Sequence, residues 1–393
     1  MPTTADVVII GGGCMGVSTA YHLARLGITD VVLLEREATL GAGSTGRNAG
    51  GVRHQFSHEA NVRLSIESIR LMEQFEDAVG SPIDLHQDGY LFLLSEPAHV
   101  ESFRAAVAMQ RRLGVEVEWL DADEAARRAP GITVDDVVAA TFCARDGISD
   151  PNGVTMGFAQ AARRLGVTIR ESTAVTGIRA SGGRVTAVET DGDVISTRTI
   201  VNAAGPWAAE IGRMAGVHIP VEPLRRHIFL AEPPVSGGWE RGGPNEARAA
   251  PADRVMVIDM ASTFYFHREG AQLLFGMGDP DERPGFDISV DWSVLEKIEP
   301  VAARRLPVLA DLAIASAWAG LYEMTPDAMP IIGPSGVDGL FVVAGFSGHG
   351  FQHSPAAGRI VADVIAGMDP GFELGPFRVD RFGGGTAGEV NVV

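Results

Sequence analysis

Asp6–Gly16 reads D-V-V-I-I-G-G-G-C-M-G, and Val31–Glu35 reads V-V-L-L-E. Val7–Ile10 is a short apolar run rich in β-branched residues, the pattern of a strand buried on both faces. It passes straight into Gly11-x-Gly13-x-x-Gly16, and Cys14–Leu26 then takes up a helical pattern. Gly11 allows the tight turn, Gly13 lets the backbone approach a pyrophosphate, and Gly16 lets helix and strand pack closely. The helix start offers free N–H groups and a partial positive charge to an anion. Val31–Leu34 reads as a second buried strand, and Glu35 ends it where a carboxylate can accept from ribose hydroxyls. The glycines alone would say little. Strand, glycines, helix, strand and terminal acid within about 30 residues point to a dinucleotide-binding unit.

The rest of the chain is long enough for two or three domains' worth of structure at 393 residues. Apolar content of 46% with 21% charged residues is that of a soluble globular protein. No apolar run approaches the roughly 20 residues of a membrane span. The apolar N-terminal stretch carries Asp6 and ends in the glycine turn, so it reads as a strand and not a secretion signal. A net charge of −18 argues against nucleic acid or an anionic membrane as partner. Cys14 and Cys143 are too few for a disulfide framework, which suits a cytoplasmic location. Lys297 is the single lysine, so any chemistry that needs a lysine has one candidate.

Arg36–Arg53 holds Gly41, Gly43, Gly46, Gly50 and Gly51 at the carboxyl end of the expected sheet, where ligands bind. Ser57–Val79 reads as one long helix. From Pro82 the texture changes: Asp84–Leu94 suggests two strands around Asp88-Gly89, with short helices at Val100–Leu113 and Ala122–Ala129. Asp150-Pro151 then opens a helix over Asn152–Leu165, followed by strands at Val167–Arg170, Ala174–Arg179, Arg184–Glu189 and Val194–Ile200. Thr199–Gly205, T-I-V-N-A-A-G, is a buried strand breaking into small residues, with a helix after it at Pro206–Met214. A second change of texture covers about Val221–Ser316, with strands near Arg226–Ala231, Val255–Asp259, Thr263–His267 and Gln272–Gly276 and a helix at Trp292–Ala303. Pro233–Pro251 reads as a surface loop. Leu340–Gly345 is again a strand into glycines, and His353–Ile365 a helix. The pattern is two interleaved domains.

Four blocks carry a family resemblance: the opening glycine unit with Glu35; Gly43–Phe56, G-S-T-G-R-N-A-G-G-V-R-H-Q-F; Thr199–Ala208; and Gly320–Gly333 followed by Ala344–Pro355. With these the chain resembles the D-amino-acid-oxidase-like FAD-dependent amine oxidoreductases, most closely the sarcosine oxidase, dimethylglycine dehydrogenase and proline dehydrogenase β-subunit branch. The implied fold is α/β: a FAD-binding Rossmann-like domain of the glutathione-reductase type, interleaved with a mostly antiparallel β-sheet substrate domain. The first would take residues 1–83, 148–220 and 317–393, and the second residues 84–147 and 221–316.

The resemblance implies FAD and assigns its contacts. Gly11, Gly13, Cys14, Met15, Gly16, Glu35 and Arg36 would hold the adenosine half, with Glu35 on the ribose. Ser44, Thr45, Arg47, Asn48, Gly50 and Gly51 would line the pyrophosphate and the flavin ring. Val175 would meet the adenine through its backbone, and Ala203, Ala204 and Gly205 would pass beside the cofactor, as would Gly320. Gly345, Gly348, His349, Gly350, Phe351 and Gln352 would offer N–H groups to the ring's C2 carbonyl end, where negative charge grows on reduction. Relatives attach flavin covalently through a cysteine that aligns with Gly320 or a histidine that aligns with Arg47. Neither side chain is present, so non-covalent FAD is expected.

Two further departures bear on the reaction. An oxygen-activating lysine of the monomeric sarcosine oxidases aligns with Leu274, which inclines the reading toward a dehydrogenase or a slow oxidase unless Arg53 or His54 substitutes. A second, carboxylate-clamping lysine aligns with Gln352. Either Arg53 alone binds a carboxylate, or the substrate is not a simple α-amino acid. Arg53 has the fork for that task, and also for a structural pair with an acid. His54 could tune protonation or make a plain polar contact. Tyr265 and His267 share one face of a strand, roofing the flavin or facing solvent, and Tyr322 would line the pocket. No His, Cys, Asp and Glu cluster has metal-ligand spacing.

The implied activity is oxidation of a secondary or tertiary amine or amino acid, sarcosine-like, glycine or proline-like. Hydride transfer to flavin N5 would give an imine that hydrolyses, with oxygen or a redox partner as electron acceptor. The alternative is a β-subunit of a multi-subunit dehydrogenase that passes electrons to a partner.

Overall fold

The structure, a computed structural model, describes residues 3–232, 254–383 and 388–392. The expected loop Pro233–Pro251 lies outside the described residues. Val7–Ile10 sits in the middle of a six-stranded sheet whose order is Ile331–Pro334, Leu340–Ala344, Ile200–Asn202, Val7–Ile10, Val31–Leu34, Thr168–Arg170. Five of these strands are parallel and the edge strand Ile331–Pro334 is antiparallel. Alternation along Val7–Ile10 explains the continuous apolar run. Val7 and Ile9 pack with the helices Cys14–Arg25, Pro151–Arg164 and Gly350–Ile365 on one face. Val8 and Ile10 pack on the other face with the meander strands Val175–Ser181, Arg184–Thr190 and Val194–Ser196. Some helix starts follow directly from the sequence. Asp150, for example, accepts from the N–H groups of Asn152 and Gly153 at 2.8 Å, with Pro151 at the first helical position.

The second layer is an eight-stranded sheet in the order Ile314–Met324, Glu222–Ala231, Gln272–Gly276, Phe264–Glu269, Met256–Asp259, Tyr90–Leu94, Ala139–Cys143, Val117–Leu120. Its pairs are antiparallel except Met256–Asp259 with Tyr90–Leu94. Leu91, Leu93, Phe264, Phe266 and Phe275 face outward, where the helix Val294–Arg305 covers them with Val294, Ile298 and Ala302. The intervening residues Tyr90, Met256, Ile258 and Tyr265 turn toward the first layer.

Several elements differ from the sequence reading. Ser57–Val79 is two helices, Glu59–Glu73 and Phe75–Val79, because Gln74 leaves helical geometry at φ −103°, ψ 9°. The break turns Phe75 inward, edge-on to Phe158 at 4.7 Å. Asp84–Leu94 holds one strand, Tyr90–Leu94, preceded only by a bridge from His86 to Ile148. Gly89 stands between at φ +102°, with the Phe142 ring filling the space a side chain would take. Val194–Ile200 splits into Val194–Ser196 and the sheet strand Ile200–Asn202. The strands Val117–Leu120, Ala139–Cys143, Ile314–Met324 and Ile331–Pro334 were not expected. Ile314–Met324 runs through the position 316/317 and pairs with Glu222–Ala231 along its length, so residues 317–324 are strand residues of the eight-stranded sheet.

Candidate active site

Between the two sheets lies a cavity of about 700 Å³ that runs from the glycine turn to the inner face of the eight-stranded sheet. At its first end Gly11 adopts φ +110°, and a Cβ there would sit 2.3 Å from the Ala203 carbonyl oxygen. Gly16 does not line the cavity: a Cβ on it would meet the Gly11 carbonyl at 1.9 Å, so it serves the close helix–strand contact. The helix Cys14–Arg25 has Gly13 as N-cap, no side-chain cap and no acid in its first turn. No acid of the helix itself opposes its N-terminal field at the cavity, and Thr45 Oγ1 accepts from Cys14 N there at 3.2 Å. Gly13, Cys14 and Met15 line the cavity there, as do Glu35 and Arg36 at the strand end. Glu35 accepts from the N–H groups of Gly12 at 2.6 Å and Glu37 at 2.8 Å. Burial pushes the Cys14 thiol up to about 11, so it stays neutral beside the turn.

The glycine-rich loop is stapled to the strand Ile314–Met324. Ser44 Oγ donates to Leu321 O at 2.6 Å, Arg47 Nη1 to Ala319 O at 3.1 Å, and Trp318 Nε1 to Arg47 O at 3.0 Å. Asn48 closes the loop on itself, donating to Thr45 O at 2.5 Å and accepting from Gly50 N at 2.6 Å. Ser44, Thr45, Arg47, Asn48 and Gly51 line the cavity. Gly50 does not; it backs onto Ser149 at φ +73°. Val175, Ala203, Ala204 and Gly205 line the cavity from the first layer, and Gly320 from the second. A Cβ on Gly320 would fall 2.9 Å from Arg47 Cβ, so the two positions that carry flavin attachment in the resembled family touch one another.

At the start of the helix Gly350–Ile365, Gly348, His349, Gly350, Phe351 and Gln352 line the cavity, while Gly345 is the turn that packs on Thr325 at φ +78°. Burial and the nearby Arg53 push His349 down to about 4, so the ring is neutral. Its Nε2 faces Ala328 O at 3.2 Å and its Nδ1 lies 3.1 Å from His353 Nδ1. A neutral ring that donates to Ala328 O accepts at Nδ1, so His353 donates there and accepts from Ser65 Oγ at 2.8 Å through its own Nε2. Gln352 Oε1 accepts from Arg53 N at 2.6 Å.

Of the six candidate chemical residues, Arg53, Tyr265, Tyr322 and Gln352 line the cavity. Arg53 donates to Gln55 O and to Asn391 O and lies 3.8 Å over the Phe56 ring. His54 and His267 are buried behind the wall. His54 Nδ1 donates to Asp146 at 2.6 Å, and His267 Nε2 approaches Ala49 O at 3.1 Å. The sequence reading placed no metal-type cluster, yet His54, Asp146 and Cys143 converge, their ligand atoms within 4.8 Å of one another. Asp146 already accepts from His54 and Gln55, and burial beside Asp146 pushes the Cys143 thiol up. The trio is knit as a hydrogen-bond network.

Cavity residues that the sequence reading passed over include Tyr90, Arg226, Met256, Ile258 and Glu323. Glu323 Oε1 accepts from Phe346 N at 3.2 Å, while its Oε2 is buried without a partner among the described residues. Burial pushes its carboxyl up to about 7, against the pull of the Gly345 and Phe346 N–H groups. The available signal for Arg226 was its place in a strand pattern, Arg226–Ala231, where the period of two puts it on the face opposite Arg225.

A family described as FAD dependent oxidoreductase matches residues 6–364. The chain is 31% identical to mitochondrial dimethylglycine dehydrogenase of Homo sapiens, over 96% of this chain and 44% of that protein, so it spans under half of that relative. It is 32% identical to FAD-dependent oxidoreductase domain-containing protein 1 of Bos taurus, over 97% of this chain and 85% of that one. Among solved structures, L-proline dehydrogenase from P. horikoshii superposes with TM-score 0.87 and 31% identity, covering 98% of this chain and 100% of that one. Glycine oxidase from Geobacillus kaustophilus follows with TM-score 0.82 and 26% identity, covering 96% and 99%. The residues present fit FAD: an acid-free helix start for the pyrophosphate, Glu35 for the ribose, and an unpartnered Glu323 oxygen within the same cavity. The chain belongs to the FAD-dependent oxidoreductase family.

Proposed function

We propose that this chain oxidises a secondary or tertiary amine or amino acid, of the sarcosine, dimethylglycine, glycine or proline type, at the carbon–nitrogen bond. The observation that carries the reading is the continuity of the cavity. One space joins the glycine turn and Glu35 to the inner face of the eight-stranded sheet, where Tyr90, Met256, Ile258, Tyr265 and Tyr322 form an apolar, aromatic floor. FAD, when bound, supplies the hydride acceptor for the amine's α-C–H bond.

The protein's part is to hold and to exclude. Gly11, Gly13, Glu35, Ser44, Thr45 and Asn48 would hold the dinucleotide, and the aromatic floor would enclose the amine beside it and exclude water. The helix start at Gly348–Gln352 offers N–H groups where negative charge develops. Arg53 and Gln352, linked through Arg53 N, position the loop at that end. His54 and His267 support the wall from behind. Two domains share the work in this reading, with residues 1–83, 148–220 and 325–393 binding the cofactor and residues 84–147 and 221–316 shaping the substrate side together with 317–324, which continue the strand Ile314–Met324 of its sheet. Non-covalent FAD is part of the same proposal.

Lys297 is engaged by Asp279 at 2.8 Å and Asp281 at 2.9 Å and does not line the cavity. Leu274 is buried. No lysine cation therefore stands at the cavity to assist oxygen, which favours a dehydrogenase or slow oxidase unless Arg53, which does line the cavity, takes that part. No described helix is long and apolar enough to cross a membrane, and a cytoplasmic location is proposed on the two free, buried cysteines. The test is turnover by the purified chain loaded with FAD, given sarcosine, dimethylglycine, glycine, proline and larger secondary amines with a dye as acceptor. Turnover of a secondary or tertiary amino acid supports the reading. Failure with every amine overturns it for the isolated chain and turns attention to a partner subunit.

A further inference from the structure

Among the described residues four arginines line the cavity: Arg36, Arg47, Arg53 and Arg226. Three are committed. Arg36 pairs with Glu37 at 3.0 Å and lies 3.7 Å over the Trp207 ring. Arg47 donates to Ala42 O at 3.3 Å and Ala319 O at 3.1 Å. Arg53 spends its guanidinium on Gln55 O and Asn391 O.

Arg226 differs. Its Nη1 donates to Arg225 O at 3.2 Å, but its Nε is buried with no partner among the described residues. No described carboxylate forms an ion pair with it, whereas Arg225, one residue earlier and on the opposite face, is held by Glu282 at 3.0 Å and Asp287 at 2.6 Å. In a chain of net charge −18, one of two adjacent arginines is neutralised and the other is left facing the cavity. Arg226 is half-buried and Asp279 lies within its field, but its buried Nε–H is left open, a cost that an anion at the cavity would relieve, and its fork matches a carboxylate. Beside it stand tyrosines. The Arg226 guanidinium carbon lies 5.1 Å from the Tyr322 ring centroid, and three of the chain's four tyrosines, Tyr90, Tyr265 and Tyr322, line the cavity. Aromatic faces are good company for alkylated ammonium groups.

We propose that Arg226 binds the substrate's carboxylate and that Tyr90, Tyr265 and Tyr322 enclose its amine and N-alkyl groups, so the site selects N-alkylated amino acids over amines lacking an acid. The inference rests on the amine-oxidation reading and relocates the acid-binding cation from Arg53 on the glycine loop to the sheet.

The test uses the FAD-loaded chain and calorimetric binding of two ligands that cannot be oxidised at nitrogen: betaine (N,N,N-trimethylglycine) and choline, which lacks the acid. The intact chain binds betaine more tightly than choline. Arg226→Met raises the betaine Kd at least about tenfold and leaves choline and FAD affinity unchanged. Arg226→Lys, a milder change, falls between and keeps the test decisive if the Met variant does not fold. An unchanged betaine Kd in the variants, no betaine binding by the intact chain, or loss through Arg53→Met instead of Arg226→Met each overturns the proposal. Failure of the parent reading looks different: betaine binds through Arg226, but no secondary amino acid reduces the flavin.

Discussion

The Gly12 backbone N–H donates to Oε2 of Glu35 across 2.6 Å, tying the glycine turn to the end of the neighbouring strand. Oε1 of the same carboxylate accepts from Glu37 N at 2.8 Å. The acid is thus oriented before any ligand arrives, with lone pairs left for ribose hydroxyls. Glu35→Ala removes both the anchor and the acceptors and should weaken FAD by ~1–3 kcal/mol. Flavin-fluorescence quenching titrations of the stripped chain measure this. An unchanged Kd would separate Glu35 from the cofactor.

Tyr322 leans on Gly348. A Cβ at Gly348 would fall 2.3 Å from Tyr322 Cε2, and the backbone there has φ +98°. Gly348→Ala is therefore strained twice and should displace the ring, at a cost of roughly 1–3 kcal/mol. The expected outcome is a higher amine concentration for half-maximal flavin reduction, with FAD affinity much less affected. Equal amine affinity in the variant would show that the Tyr322 ring does not bound the substrate space.

Gly320 and Arg47, the two positions at which the family resemblance would put a covalent flavin link, touch one another, and neither offers a nucleophilic side chain. Acid precipitation should leave yellow flavin in the supernatant. Colour retained in the pellet would contradict non-covalent binding.

Much of the site was legible because its signals are local. The strand, the three glycines and Glu35 lie in one short stretch, and the turn they form needs no distant partner. The inner face of the eight-stranded sheet was not legible in the same way. Tyr90 and Met256 are register partners in a parallel pair whose strands are far apart in the chain, and Arg226 stands opposite Gly320 on another strand distant in the chain. Histidines misled for the converse reason. His54 and His267 have the right chemistry at attractive positions, but Asp146 and the Ala49 carbonyl draw their rings behind the wall. The helix break at Gln74 accompanies a tertiary contact of Phe75 with Phe158, which periodicity does not encode.

Glu323 gives the chain a pH signature. Burial raises its carboxyl from 4.5 to about 7, so between those values the folded chain holds a proton that the unfolded chain has released. Stability therefore falls as pH rises through that window and levels off above it. Denaturant midpoints of the flavin-free chain at about pH 5 and about pH 8 should differ more for the native sequence than for Glu323→Gln, which cannot titrate. Parallel shifts in the two proteins would place the Glu323 proton elsewhere.

The most direct test of the central claim, that one cavity brings an amine's C–H bond to bound flavin, is anaerobic rapid mixing of the FAD-loaded chain with sarcosine, dimethylglycine or proline while the flavin absorbance is followed. The account predicts bleaching in a single turnover with at least one of these amino acids, slowed several-fold when the C–H bond that breaks carries deuterium. Flavin that stays yellow with every amine, or bleaching that is indifferent to deuterium at each carbon bonded to nitrogen, would contradict it.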